Sequence, residues 1–296
     1  MNHDSLISVG CSLMYGSDHD STDGNRKPSE QAYTNTLAKH YGLKHHNFSS
    51  PGSSNQNISR QVFIARKFAK ENNLKPVFWL AWTKYTHLGL AHLISRNIAH
   101  GWPYIDVQNE LIGHSQNKDI QKWSKEVYKS LDKFSRFTLS VNTIIQTNLM
   151  LEKEGITAIN TFNSETWKTA CSKGTYYIKD IHDNKESLLG DWLEKKKESI
   201  SAEHLGHGVM AGISGKRFED HDPYMSELWA YMKTFKWYEW GEDNLGFQLW
   251  TRENKFPLYT NVNESNIDNP SFHHPGEEAH QEASKRIINS NIMETL

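Results

Sequence analysis

Ser12 lies in the turn Gly10-Cys11-Ser12-Leu13-Met14-Tyr15-Gly16, directly after the apolar run Leu6-Ile7-Ser8-Val9. A serine in a tight turn at the carboxyl end of a central strand projects its hydroxyl into the crevice where open α/β sheets bind ligands. His274 follows 262 residues later, where His274-Pro275 opens the run Gly276-Glu277-Glu278-Ala279-His280 ahead of a last helix. A fold that joins the two ends of the chain makes such a pair a nucleophile and its general base. Cys11 is a second nucleophilic side chain beside the first. In an extended segment it points opposite to Ser12, which predicts buried filler.

The elements that must bring these residues together alternate along the chain. After the first strand, Ser29 can cap a helix that runs to Tyr41, with Tyr33, Leu37 and Tyr41 on one face and Gly42 as its stop. A short strand over Leu43–Phe48 leads into the small-residue loop Ser49-Ser50-Pro51-Gly52-Ser53-Ser54-Asn55, and then a helix over Gln56–Asn72 carries Ile58, Val62, Ala65 and Ala69. Pro76–Trp82 is a near-continuous apolar run, as in a strand buried on both faces. One long helix is predicted over Asp119–Glu154, ended by Gly155, and Ile156–Phe162 reads as the next strand. The last helix, Glu277–Ile292, buries Ala279, Ala283 and Ile287. This alternation implies a parallel sheet with helices on both sides. It is read as a single α/β domain over residues 1–296, with 170–262 as an insertion or cap that contains helical stretches at Leu188–Ile200 and Tyr224–Tyr238.

Composition narrows the partners. Lys and Arg number 33 against 35 Asp and Glu, with no extended basic patch, so nucleic acid is not expected. No run approaches 18 apolar residues and residues 1–30 lack a signal-like core, so neither membrane nor export is expected and the location reads as cytoplasmic. Two cysteines argue for a reducing compartment. His45-His46 and His204-Leu205-Gly206-His207 lack the carboxylate or thiolate partners of a metal centre and read as surface, so no metal is expected. Eleven aromatic residues fall between Tyr224 and Tyr259, among them Trp229, Trp237, Trp240 and Trp250. They read first as core packing of a helical cap, and otherwise as a stacking wall for a sugar or acyl group or as a protein interface.

Taken together, these blocks resemble the SGNH (GDSL-like) hydrolases. Gly10-Cys11-Ser12 looks like their nucleophile block, Gly52 like the glycine of the second block, and His274-Pro275 like the last. The combination with Tyr15-Gly16, Gly52-Ser53-Ser54-Asn55, Ile58, Arg60 and Ala279-His280 is similar to SGNH-like proteins of tailed bacteriophages. The resemblance implies a flavodoxin-like three-layer α/β/α sandwich, here with an aromatic-rich helical insertion before the last helix. It also implies hydrolysis of esters, thioesters or acetyl groups without a cofactor. The pattern departs from the family at three places. Cys11 replaces the usual aspartate, Trp82-Thr83-Lys84-Tyr85 stands where an oxyanion asparagine is normal, and Ser271 holds the position of the triad acid.

The resemblance therefore implies a serine ester hydrolase acting on a small or acylated-carbohydrate ester. Ser12 attacks, His274 relays the proton, and Asp268 (the nearest carboxylate) or a backbone carbonyl orients the imidazole. Gly52 with Asn55 or the Thr83 hydroxyl holds the oxyanion. Loss of a triad acid costs on the order of 10⁴ in rate and loss of one oxyanion donor about 10²–10³, so these substitutions decide between an enzyme and the runner-up. That runner-up is a catalytically silent SGNH-like interaction protein, as a homo-oligomer or a virion component.

Overall fold

Every side chain of Pro76–Trp82 is apolar, so both faces of that segment must be covered. In the computed structural model, which describes residues 2–16, 28–85, 87–91, 104–108, 118–131, 133–163, 223–241, 246–257 and 274–296, this segment is strand β3 at the centre of a parallel sheet. The sheet runs β2 (Lys44–Asn47), β1 (Ser5–Val9), β3 (Pro76–Trp82), β6 (Thr157–Phe162). Alternation along β3 divides the core into two layers. Phe78, Leu80 and Trp82 pack with Ile58, Val62 and Ala65 of helix α3 (Asn55–Glu71) and with Phe137, Val141 and Ile144 of helix α5 (Lys133–Lys153). Val77, Trp79 and Ala81 face the other way, onto Tyr33 and Leu37 of helix α2 (Tyr33–His40) and Ala283 and Ile287 of helix α8 (Glu277–Asn289). The molecule is thus an α/β/α sandwich around a parallel sheet, and its strand order is the flavodoxin-like one.

Helix starts and stops follow local chemistry. Ser54 caps α3 by accepting the Asn57 N–H at 3.2 Å, and Gly155 ends the helical run before β6 with φ of 68°. The expected cap at Ser29 is displaced. Ser29 Oγ instead accepts the Gln31 N–H in a preceding turn, and α2 begins at Tyr33. The single helix expected over Asp119–Glu154 is two, α4 (Lys118–Ser130) and α5, and the apolar period persists across the break. An antiparallel hairpin, β4 (His87–Ala91) with β5 (Tyr104–Gln108), lies beside the amino end of α3.

The aromatic segment corrects another expectation. Helix α6 (Pro223–Met232) stops short of Tyr238, and the chain then runs extended, with Trp237 bridging in parallel to Asn160 of β6. A period of two replaces the helical one. Tyr238 and Trp240 point into the layer of α2 and α8, while Trp237 packs on the opposite layer, against Phe162. With helix α7 (Phe247–Glu253), these rings form a cluster in which Trp240 contacts Tyr33, Tyr238, Phe247 and Trp250. Among its described rings Phe235, Tyr238, Trp240, Phe247 and Trp250 are core, while Tyr231 is exposed. Leu188–Ile200 and His204–His207 lie outside the described residues.

Candidate active site

A parallel sheet collects the carboxyl ends of its strands at one edge, and the residues just past β1, β3 and β6 are those that matter here. After β1, Gly10 lets the chain pass close to β3, since a Cβ there would lie 2.8 Å from Met14 Cβ and 3.1 Å from Ala81 Cβ. Cys11 then caps the short helix α1 (Ser12–Tyr15), its carbonyl accepting the N–H groups of Met14 and Tyr15. Ser12 is the first residue of that turn, and Gly16 closes it in the left-handed region with φ of 71°.

His274 reaches Ser12 from the other end of the chain. Its Nε2 lies 2.9 Å from Ser12 Oγ, and both side chains are half-buried. What aims it is the seating of α8. Ala279, His280, Ala283 and Ile287 are buried against α2, and His280 Nδ1 accepts the Tyr33 N–H at 3.2 Å. The His280 ring also packs on Phe247, so it serves the scaffold and not the site.

The loop after β2 forms the second wall. Ser50 N–H donates to the Gly10 carbonyl at 3.0 Å, which holds this loop against the Ser12 turn, and Gly52 sits in it with φ of 75°. Asn55 and Thr83 join this loop to the end of β3. Asn55 Oδ1 accepts the Thr83 N–H at 2.9 Å, and Asn55 Nδ2 donates to the Thr83 carbonyl at 3.3 Å, with Asn55 fully buried. The Thr83 hydroxyl faces His87 Nδ1 at 3.4 Å. Of the six expected site residues, the structure brings Ser12 and His274 into contact, sets Gly52 in the neighbouring loop and couples Asn55 to Thr83. Asp268 lies outside the described residues.

Cys11 is buried, and its sulfur accepts a hydrogen bond from Asn163 Nδ2 at 3.3 Å. Asn163 follows β6, is wholly buried and also donates to the Ala81 carbonyl. Nothing in the sequence around it marks it, because its partners are 152 and 82 residues away. The histidines of β2 are equally structural. His45 Nε2 meets Ser8 Oγ at 2.9 Å, and burial, then the neighbouring His46 and Lys39, push its pKa down to about 4. His45 is therefore a neutral part of the sheet's edge rather than the surface residue expected.

The sequence matches no protein-family model and no curated protein. Solved structures do resemble it. A member of the lipolytic protein G-D-S-L family from Veillonella parvula matches at 10% identity over 96% of both chains with a TM-score of 0.40. A structure described as a putative lipolytic protein of that family from Desulfitobacterium hafniense matches at 10% identity over 96% of this chain and 97% of its own, TM-score 0.38. An acetyl xylan esterase from Butyrivibrio proteoclasticus matches at 12% identity over 99% of this chain and 64% of its own, TM-score 0.40. At such scores the likeness carries no weight for activity, which rests on the geometry of the site.

Proposed function

We propose that this chain is a serine ester hydrolase of the SGNH type that acts on a small ester. The observation that supports it most is the 2.9 Å contact between Ser12 Oγ and His274 Nε2, within the range of a nucleophile and its base. Ser12 Oγ attacks the acyl carbon while its proton passes to His274 Nε2. The carbonyl oxygen becomes an oxyanion held by the backbone N–H groups of Ser12 and Gly52. Collapse breaks the ester C–O bond, and the alcohol leaves with the proton from His274. Water then attacks the acyl-Ser12 ester, giving its proton to the same imidazole, which passes it to Ser12 Oγ as the acid is released. Asp268 remains the carboxylate proposed to orient His274.

The reciprocal pairing of Asn55 with the Thr83 backbone supports a positioning role for Asn55 in place of direct oxyanion contact. Trp237, Trp240 and Trp250, considered as a stacking wall or an interface, pack within the chain itself. The proposed substrate is therefore a short acyl ester, an acylated sugar included, recognised mainly at its acyl end. The test is turnover of nitrophenyl acetate and of acetylated sugars by wild type, Ser12→Ala and His274→Ala. Hydrolysis should be lost in both variants with the fold retained. Turnover that survives Ser12→Ala locates the chemistry elsewhere.

A further inference from the structure

His87 was not among the expected site residues, yet it occupies the seam between the two walls of the site. It opens β4, with Thr83 on one side of its ring and the Gly52–Asn55 loop on the other. Nδ1 faces Thr83 Oγ1 at 3.4 Å, and the Ser53 backbone acts on the ring as a hydrogen-bond acceptor that favours its charged form. That loop is held from below by α3. Ser53 Oγ accepts from Asn57 Nδ2 at 3.3 Å and from Gln61 Nε2 at 3.1 Å, and the Ser53 N–H donates to the Ser50 carbonyl. From the β4 side it is met at a second point. Gly89 N–H donates to Gln56 Oε1 at 3.1 Å, and a Cβ on Gly89 would fall 2.5 Å from Ser54 Oγ. The hairpin therefore approaches the loop closely, and His87 is the residue that reaches its backbone.

We infer that His87 is a positioning residue, whose ring bridges the Ser53 carbonyl and the Thr83 hydroxyl and so fixes the loop that presents Gly52 to the acyl oxygen. The inference rests on the hydrolase reading above. The direction of the hydrogen bonds follows from the ring's chemistry. A carbonyl can only accept, so the nitrogen facing Ser53 carries a proton. In the proposed bridge that nitrogen is Nε2, so Nδ1 keeps its lone pair in the neutral ring and accepts from the Thr83 hydroxyl. Burial first, and then the charge of Lys84, hold the ring neutral against the opposing Ser53 bond, with its pKa pushed down to about 3. Thr83 thus turns its hydrogen toward His87, and the oxyanion is left to backbone donors.

This assignment separates His87 and Thr83 from residues that touch substrate. A displaced loop costs rate through geometry, and a misplacement near 1 Å costs about 10²-fold. His87→Leu should lower kcat by about 10- to 100-fold with KM little changed. His87→Gln, whose amide can still donate to Ser53, should recover a large part of that loss. Thr83→Val, which frees one end of the bridge and leaves the Ser53 end in place, should cost no more than His87→Leu, up to about 10-fold, whereas removal of a true oxyanion donor costs about 10²–10³. A Thr83→Val loss of that size, a rise in KM alone, or no rescue by His87→Gln in folded protein would overturn the assignment. Ring ¹⁵N shifts of wild type at neutral pH give a readout that needs no activity. The neutral Nε2–H form is expected, and the Nδ1–H form or a doubly protonated ring would contradict the bridge. If wild type turns over no ester, the hydrolase reading fails by itself, and the ring shifts still decide whether the bridge exists.

Discussion

Asn163 Nδ2 lies 3.3 Å from Cys11 Sγ, so the residue after β6 holds the side chain that precedes Ser12. The thiol of Cys11 is buried and engaged by Asn163. Cys11→Ala is expected to retain ester turnover within about 10-fold of wild type, and thiol-directed reagents should leave native activity intact. Kinetics of the variant check this. A loss near that of Ser12→Ala would make the thiol the nucleophile.

Asn160 is the polar centre of the far layer. Its Oδ1 accepts from Trp82 Nε1 at 2.8 Å and from Asn148 Nδ2 at 3.0 Å, and its Nδ2 donates to Asn148 Oδ1 and the Lys236 carbonyl. Asn160→Leu removes the partners of the buried Trp82 indole N–H and of Asn148 Oδ1, at about 1–3 kcal/mol each. Urea unfolding should show a loss of about 3 kcal/mol or more. A change under about 1 kcal/mol would mean that the network contributes little.

Acid should weaken the fold through His45 and His87, whose folded pKa values are about 4 and about 3. In the unfolded chain both titrate near 6.5, so below that pH the unfolded state binds protons that the native state refuses. The stability they contribute is therefore present above about pH 6.5 and declines as pH falls toward 4 and then 3. By pH 5 each removes about 1–2 kcal/mol, allowing for partial exposure. Unfolding curves at pH 7 and pH 5 should show this, and His45→Gln should flatten part of the slope. Equal stability at the two pH values would contradict the assignment of both rings as neutral in the folded state.

The sequence carried the centre of the fold well and its seams poorly. Pro76–Trp82 is legible because a strand covered on both faces has no polar position to blur its ends, and Gly155 punctuates the chain just before β6. Ser12 and His274 stood out because each adjoins such an element. The break between α4 and α5 left no mark, since no Gly or Pro falls at Ser130 and the apolar period continues beyond it. Trp237 and Tyr238 misled because a dense aromatic run satisfies a helical face as readily as an extended edge. Its pairing with Asn160 is non-local. The same holds for Asn55 with Thr83, His87 with Ser53 and Asn163 with Cys11. These are ordinary polar residues in sequence, and they acquire a role only when parallel crossovers gather strand ends from distant parts of the chain.

The central claim is that Ser12 is a nucleophile activated by His274, and covalent labelling tests it most directly. Wild-type protein is incubated with a serine-directed fluorophosphonate, digested and mapped by mass spectrometry, with Ser12→Ala and His274→Ala alongside. The expected result is a single adduct on the peptide that holds Ser12. It should be absent from Ser12→Ala and slowed by about 10²-fold or more in His274→Ala. An unlabelled Ser12 in folded wild-type protein, or labelling that is indifferent to His274, would contradict the account.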